Sequence, residues 1–214
     1  MTDGGPGPRA ASGQLLLADI SGYTSFLRQV AVAHANDSFA GGAIPPAYAA
    51  ISGLLDGIVE RLVPPFTLSK LEGDAVFVFS VDSPLTLRGG ELVRCLTDCY
   101  AGFRAMLAEA ERIWPCSCEA CSGIESLDLK FVVHAGHFVV QSIAGGQELV
   151  GPEVVLVHRL LKTSAGELVG HGAHALITDT VVTGYDVPTA DALPLVEHYE
   201  HYAPVDAHVL SLRA

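Results

Sequence analysis

The sequence predicts an α+β protein in which helices cover a mostly antiparallel sheet with a ferredoxin-like core. Three observations carry this prediction. Apolar runs with the spacing of strands alternate with longer segments that have the apolar spacing of helices. Two pairs of strands are joined by short turns that contain glycine. The elements follow the order β-α-α-β-β-α-β-β-α-β, in which hairpin strands pair antiparallel and the helices between them pack on the sheet.

Residues that end regular structure set the bounds of each element. Pro64-Pro65 stops the second helix, because proline lacks the amide hydrogen that a helix interior needs, and the Ser21 hydroxyl could cap the first. Glu72-Gly73-Asp74 and Gly136 mark two tight turns. The predicted elements are a strand at 14–20, helices at 21–32 and 47–63, a hairpin of strands at 66–70 and 75–81, a helix at 86–114, a hairpin of strands at 127–135 and 137–143, a helix at 151–161, and strands at 173–178 and 207–212.

Length and composition predict one globular domain. Half of the 214 residues are hydrophobic, which is enough for a substantial core. Residues 1–13 have the composition of a flexible leader. Residues 14–214 are predicted to form a single domain, with a loop at 36–46 and a cysteine-rich insert near 115–126. The net charge of −12 argues against nucleic acid or an anionic membrane as partner. No secretory pattern and no run of about 20 apolar residues is present, so we expect a cytoplasmic protein.

Two short acidic motifs stand where predicted strands begin or end. Asp19 closes an apolar strand and precedes a helix, and Asp74 lies in the turn before the strand at 75–81. Two carboxylates at strand ends, one of them beside the amide groups of a helix N-terminus, suit a divalent metal and a phosphate. The alternative for Asp19 is a helix-capping or turn-forming role. If the two carboxylates share a metal, their side-chain oxygens must lie within about 8 Å of each other, and burial of either one in an unrelated ion pair would defeat the idea of a shared site.

Three of the five cysteines form a second candidate site. Cys116, Cys118 and Cys121 fall within six residues of a chain that has no secretory signal, which favours a metal clip over disulfides. A closed structural zinc site needs four ligands. The candidates for the fourth ligand are Cys95, Cys99, His134 and His137. The alternative is a reduced cluster of thiols without metal.

Four motifs, taken in order, resemble those of the class III adenylate/guanylate cyclases. They are Leu17-Ala18-Asp19-Ile20-Ser21-Gly22-Tyr23-Thr24, Lys70-x-x-Gly73-Asp74, Leu129-Lys130-Phe131-Val132-Val133-His134-Ala135-Gly136, and Gly151 followed eight residues later by Arg159. The likeness extends over residues 14–212. More narrowly, the chain resembles a bacterial subgroup of cyclase-like proteins of unknown function, DUF2652, that carries a Cys-x-Cys-x-x-Cys insert.

The resemblance implies a metal site and a homodimer. Class III cyclases bind two divalent ions, Mg or Mn, and in this chain Asp19, Asp74 and Ile20 would form that site. In the family the active site lies between two protomers. The metal-binding aspartates would therefore come from one copy of the chain and the nucleotide-reading residues from the other.

The resemblance also implies a purine nucleotide as ligand and, in an active member, conversion of ATP to cyclic AMP and pyrophosphate. Lys70 and Glu148 would read the purine, and this pairing favours ATP. Arg159 would be the catalytic arginine. The alternative for Lys70 is a solvated strand residue, and the alternative for Arg159 is a surface residue that pairs with a carboxylate. Glu72, within the second motif, is expected to face solvent.

Two departures from the family pattern bear on activity. The family has an asparagine that orients the ribose four residues after the glycine, and Val155 stands at that position. The family also has a lysine near the C-terminal strand for the triphosphate, whereas this chain has no lysine after Lys162. Loss of one such contact costs on the order of 3 kcal/mol in the transition state. The second hypothesis is therefore a degenerate cyclase fold that senses a nucleotide or binds a protein, and the third is a zinc-stabilised scaffold.

Overall fold

The computed structural model describes residues 7–35, 44–113, 116, 118–144 and 146–213. Helices pack on both faces of one eight-stranded sheet. The strands are β1 (Arg9–Ser21), β2 (Thr67–Glu72), β3 (Ala75–Val81), β4 (Asp128–Ile143), β5 (Gly146–Val150), β6 (His174–Thr178), β7 (Leu193–Glu197) and β8 (Val205–Ser211). The helices are α1 (Tyr23–Ala33), α2 (Pro46–Leu62), α3 (Gly89–Ile113), α4 (Glu119–Ser122), α5 (Pro152–Arg159), α6 (Ala165–Leu168) and α7 (Asp179–Gly184), with a 3-10 turn at Gly123–Ser126.

The sheet topology confirms the predicted fold class. The strand order is β2-β3-β1-β4-β6-β8-β7, and β5 pairs with the C-terminal end of β4, residues 139–143. The first four strands in this order, with helices between them, form the ferredoxin-like core. The paired strands run antiparallel except for β4 and β6, which are parallel. This gives the mostly antiparallel α+β sheet that the sequence predicts.

The middle of the central strand β1, residues 15–18, is apolar without interruption because both of its faces are covered. Leu16, Ala18 and Ile20 pack into the cluster beneath α1, α2 and α3, while Leu15 and Leu17 pack into the cluster beneath α5. Side chains alternate between the faces of a strand, so a strand covered on both sides needs apolar residues at every position. This burial holds the β1 end that carries Asp19 in a fixed position.

The predicted hairpin around Gly136 is wrong, because β4 runs straight through that residue. Gly136 lies opposite Gly13 of β1, and a Cβ at position 136 would stand 2.6 Å from the Glu153 side chain. The glycine therefore permits close packing of α5 on the strand, a role that a sequence cannot distinguish from a turn. The turn follows Ile143 instead and leads into β5, which the sequence did not reveal.

Other boundaries also differ from the sequence-based predictions. β1 begins at Arg9, inside the segment predicted as a leader, and residues 1–6 lie outside the described part. Gly22, with a φ of 87°, precedes α1, so the cap predicted for Ser21 is wrong. Most of the predicted loop at 36–46 falls on residues that the structure does not describe. Through the described ranges, no helix has the length and apolarity needed to cross a membrane.

We expect Gly13→Ala to destabilise the protein and Gly53→Ala to leave it as stable or more so. A Cβ at Gly13 would stand 1.8 Å from the Ser80 carbonyl oxygen, so β1 and β3 would have to separate, at a cost of about 1–3 kcal/mol or more. Gly53 is exposed in α2 with open space around it, and alanine there contributes up to about 1 kcal/mol of helix propensity. Urea denaturation would measure both, and equal effects would contradict this account of Gly13.

Candidate functional site

The structure brings Asp19 and Asp74 together near the place where β1 ends and β3 begins. We call this end of the two central strands the carboxylate edge. Asp19 pairs in register with Ala75, the first residue of β3, and the Ile20 amide donates a 3.1 Å hydrogen bond to the Asp74 carbonyl oxygen. Burial, and then the negative charge of Asp19, raise the pKa of the Asp74 carboxyl. The Ile20 side chain is a hydrocarbon with no donor atom, so this residue could offer a metal only its backbone carbonyl oxygen. Carboxylate oxygens close to one another and half-buried are suitable ligands for Mg²⁺ or Mn²⁺.

Lys130 is a third charged group at this edge, and the sequence analysis gave it no role. It lies opposite Asp19 in the register of β1 and β4, and its Nζ stands 3.0 Å from Asp19 Oδ2. Both side chains are largely buried, with 25% of Lys130 and 16% of Asp19 exposed. The Lys130 ammonium also donates a hydrogen bond to the Leu161 carbonyl oxygen. This is the kind of ion pair that counts against a shared metal, since a divalent ion must displace the ammonium or use the other oxygen.

The structure brings the two predicted purine-reading residues into contact. Lys70 Nζ stands 3.0 Å from Glu148 Oε2, and this hydrogen bond is the main reason that the pKa of Lys70 is raised. Lys70 belongs to β2 and Glu148 to β5, and the two residues are 78 positions apart in the chain. The strand β5 was not predicted from the sequence. The pairing of Lys70 with Glu148 was therefore implied by the family resemblance alone.

Glu72 does not simply face solvent, contrary to the sequence-based expectation. Its side chain is 29% exposed, makes an ion pair with Lys70 at 3.4 Å, and lies within hydrogen-bond distance of His158 Nε2, at 2.8 Å. His158 Nδ1 in turn contacts the Val154 carbonyl oxygen at 2.6 Å, which fixes the ring. His158 was not among the residues predicted from the sequence, in which its place next to the predicted catalytic arginine is its one local signal.

A cavity of about 390 Å³ opens beside this cluster. Its lining combines cationic, acidic and apolar side chains; they are Lys70, Glu72, Val154, Val155, His158, Arg159 and Lys162. The Arg159 guanidinium lies 5.5 Å from the centre of the Tyr202 ring and donates a 3.2 Å hydrogen bond to the Glu200 carbonyl oxygen. Lys162, which the sequence analysis treated only as the last lysine of the chain, contributes a second cation close to Arg159.

The three cysteines of the insert converge, and the fourth residue beside them is His34. The distances from His34 Nε2 to the sulfurs of Cys116, Cys118 and Cys121 are 3.8, 3.4 and 3.3 Å. All four candidate ligand atoms lie within 4.8 Å of one another. The amide of Cys121 donates a hydrogen bond to the Cys118 sulfur, which is the main reason that the pKa of the Cys118 thiol is lowered to about 7.

The four residues predicted as candidates for the fourth ligand lie elsewhere. Burial raises the pKa of the Cys95 and Cys99 thiols in α3 to about 11 and about 12, as expected for packed side chains. His134 contacts Glu153 and Thr178, and His137 contacts Ser12. His34 is more than 80 residues away from the cysteines in the chain, so no local spacing could have identified it.

Comparisons with known proteins agree with this architecture. A family model described as "Protein of unknown function (DUF2652)" matches residues 51–167. The chain is 29% identical over 164 residues to the uncharacterized protein Rv2561/Rv2562 of Mycobacterium tuberculosis, a match that covers 74% of this chain and 72% of that protein.

Two similar solved structures are cyclases. The guanylyl cyclase Cya2 is 15% identical with a TM-score of 0.66, over 97% of this chain and 100% of that one. The adenylyl cyclase CyaB from P. aeruginosa is 15% identical with a TM-score of 0.65, over 97% and 98% of the two chains. At this identity the likeness establishes the fold alone. The chain therefore belongs to the DUF2652 family and has the fold of class III adenylyl and guanylyl cyclase domains.

Proposed function

We propose that this protein is a divergent nucleotide cyclase domain that binds a purine nucleoside triphosphate with Mg²⁺ or Mn²⁺ and converts it only slowly. The observation that carries the proposal is the pairing of Lys70 with Glu148 at the wall of a cavity that Arg159 and Lys162 also line. The paired lysine and carboxylate offer hydrogen-bond groups for a base, and two nearby cations favour a polyphosphate. The volume of about 390 Å³ falls within the range of small-molecule sites.

The metal site of this proposal is the edge formed by Asp19 and Asp74. The raised pKa of Asp74 reflects burial and repulsion by Asp19, and a divalent cation would relieve both. Lys130 already balances part of this charge, so we expect weaker metal binding than two unpaired carboxylates would give. When bound, the ions would lower the pKa of the ribose 3'-hydroxyl and neutralise phosphate oxygens.

The nucleotide site of this proposal is shared between two copies of the chain. The strand β2, which carries Lys70 at the wall of the 390 Å³ cavity, is an edge strand of the sheet. Near this cavity Leu68, Leu71 and Val155 are 37%, 50% and 50% exposed. Exposed apolar side chains beside a charged cavity are typical of a surface that a partner covers. A second copy would place its own carboxylate edge against the cavity, as the cyclase-like fold suggests.

In the proposed reaction the 3'-oxygen of ATP forms a bond to the α-phosphorus while the bond from that phosphorus to the pyrophosphate oxygen breaks. The hydroxyl proton passes to water, and the products are cyclic AMP and pyrophosphate. Arg159 would face the charge that grows on the phosphates, with Lys162 as the second cation in place of the lysine that the C-terminal strand lacks. Val155 cannot hydrogen-bond the ribose, so the attacking hydroxyl is poorly oriented and turnover is slow.

The second candidate function is a nucleotide-sensing or protein-interaction module without turnover. The Asp19–Lys130 ion pair favours it, because a lysine that permanently occupies the carboxylate edge would exclude catalytic metal. Calorimetry with ATP and GTP, each with Mg²⁺ or Mn²⁺, separates a nucleotide-binding domain from a protein-interaction module or a scaffold. The proposal predicts metal-dependent binding in the micromolar-to-millimolar range, with ATP preferred. Absence of binding with either metal would contradict it.

We expect Val155→Asn to raise the rate of cyclic AMP formation. The added amide would supply a hydrogen bond to the ribose, and a contribution of about 1 kcal/mol corresponds to an increase of about fivefold. Val196→Asn is the matched control, because Val196 is also 50% exposed but lies on β7, outside the cavity. Measurement of cyclic AMP in single-turnover conditions with Mn²⁺ would test this. Equal rates for both variants would contradict the role given to position 155.

A further inference from the structure

We propose that His34, Cys116, Cys118 and Cys121 bind one zinc ion in a closed tetrahedral site. Zinc bonds of about 2.3 Å to sulfur and about 2.0–2.1 Å to nitrogen, at tetrahedral angles, separate a sulfur from a nitrogen by about 3.5 Å. The three observed distances from His34 Nε2 to sulfur, 3.3, 3.4 and 3.8 Å, bracket this value. Three thiolates with one imidazole are among the ligand sets of structural zinc.

Hydrogen bonds to His34 do not by themselves account for three converging sulfurs, and the Cys118 sulfur also makes hydrogen-bond contacts with Cys116 and Cys121. An imidazole nitrogen carries either one proton or one lone pair, so Nε2 of His34 can satisfy one thiol and not three. A shared cation gives all three sulfurs and the nitrogen a common partner. The Cys121 amide directed at the Cys118 sulfur, 3.4 Å away, is the type of contact that supports a metal-bound thiolate.

The local structure of the insert also depends on such a link. In the part that the structure describes, the regular structure of the insert is the four-residue helix α4 and the four-residue 3-10 turn, and helices of this length are unstable without tertiary support. Cys121 is fully buried and packs in the main core cluster, so the proposed metal lies against the core and not on a loose loop. Metal binding would supply folding free energy to this segment.

The fourth ligand, His34, would connect the zinc site to the end of α1, whereas the three cysteines all belong to the insert. His34 is the C-cap residue that follows α1, and the first residue of α1 comes four residues after Asp19. α1 has 11 residues, of which Phe26 and Val30 are buried. A helix this short needs anchoring at its ends. The zinc site would hold the far end of α1 and thereby steady Asp19, a step that rests on the proposed function.

Elemental analysis of the purified protein tests the site without reference to nucleotides. We expect about one zinc per chain, as a single closed site requires. His34→Ala should weaken zinc binding by more than about a hundredfold, whereas His34→Cys should retain zinc with four thiolates. His198→Ala and Cys95→Ser are the controls, because one replaces an exposed histidine and the other a cysteine of α3, and both should keep the metal.

Chelation of the unmodified protein gives an independent measure if a variant fails to fold. Removal of a tightly bound zinc should lower the melting temperature by about 10 °C. Cobalt in place of zinc should show the visible bands of a tetrahedral thiolate site, changed in His34→Cys. Protein without metal, full zinc binding by His34→Ala, or iron with sulfide would each overturn the proposal. Zinc bound as expected with no nucleotide binding would leave the zinc site standing and reject only its link to Asp19.

Discussion

Replacing Asp74 with asparagine should abolish metal-dependent nucleotide binding without destabilising the protein. Asparagine keeps the shape of the side chain but removes the charge that a divalent ion needs, and we expect a loss of more than about a hundredfold in affinity. Stability should stay the same or rise slightly. Burial and the charge of Asp19 raise the pKa of Asp74, so its ionised form is less favourable in the folded state than in the unfolded state.

The sign of the pH dependence follows from this raised pKa. Stability contributed by protonated Asp74 is present below the ordinary carboxyl pKa and is lost as the pH rises through the raised value. Without metal, the unmodified protein should therefore lose stability over that interval, and Asp74→Asn should not. Thermal unfolding against pH measures this, with Asp56→Asn, an exposed carboxylate of α2, as control. Unchanged nucleotide affinity in Asp74→Asn, with metal still required, would rule out the assigned role.

Truncating Phe77 to alanine should cost about 3–5 kcal/mol of folding free energy, because it leaves a large cavity in the core. Phe77 is fully buried in β3 and lies between Leu17 of β1 and Lys70 of β2 in the sheet register. Its ring also packs against His158, with ring centres 4.9 Å apart and an interplanar angle of 72°. The truncation should therefore also loosen the contact between His158 and Glu72 at the cavity wall.

Urea denaturation would measure the loss, and Phe77→Leu is the matched control. Leucine keeps much of the buried volume, so we expect a loss of about 1.5 kcal/mol. The folded fraction of Phe77→Ala should bind ATP more weakly than the same fraction of Phe77→Leu, since only the larger cavity frees the His158 ring. Equal stability of the two variants would show that the Phe77 ring does not stabilise the core beside His158.

The sequence predicted the elements whose signals are local. The apolar run of β1, the helical spacing of α2 and the turn at Gly73 all depend on neighbouring residues, and the structure has them near their predicted places. Gly136 was misread because a glycine needed for close packing on Glu153 has the same local signature as a glycine in a turn. Short elements such as α7 and β7 were missed because they are held by tertiary contacts and have little periodicity of their own.

The candidate sites show the same division. Asp19 and Asp74 stand out because each follows from a motif, but Lys130 became visible only with the register of β1 and β4. His34 is contributed by a helix more than 80 residues from the cysteines, so only the folded chain brings it to them. Long-range pairing of this kind is decided by the topology of the sheet and not by spacing in the sequence.

Mixing two deficient variants tests most directly whether the nucleotide site is shared between two copies. One chain carries Asp74→Asn, and the other carries Lys70→Ala with Arg159→Ala, so each alone lacks one half of every site. In an equal mixture half of the dimers pair unlike chains, and each such dimer has one intact site of two. The account predicts that about one quarter of the ATP-binding capacity of the unmodified protein returns on mixing. Recovery of none of it, or retention of binding by either variant alone, would contradict a site shared between two chains.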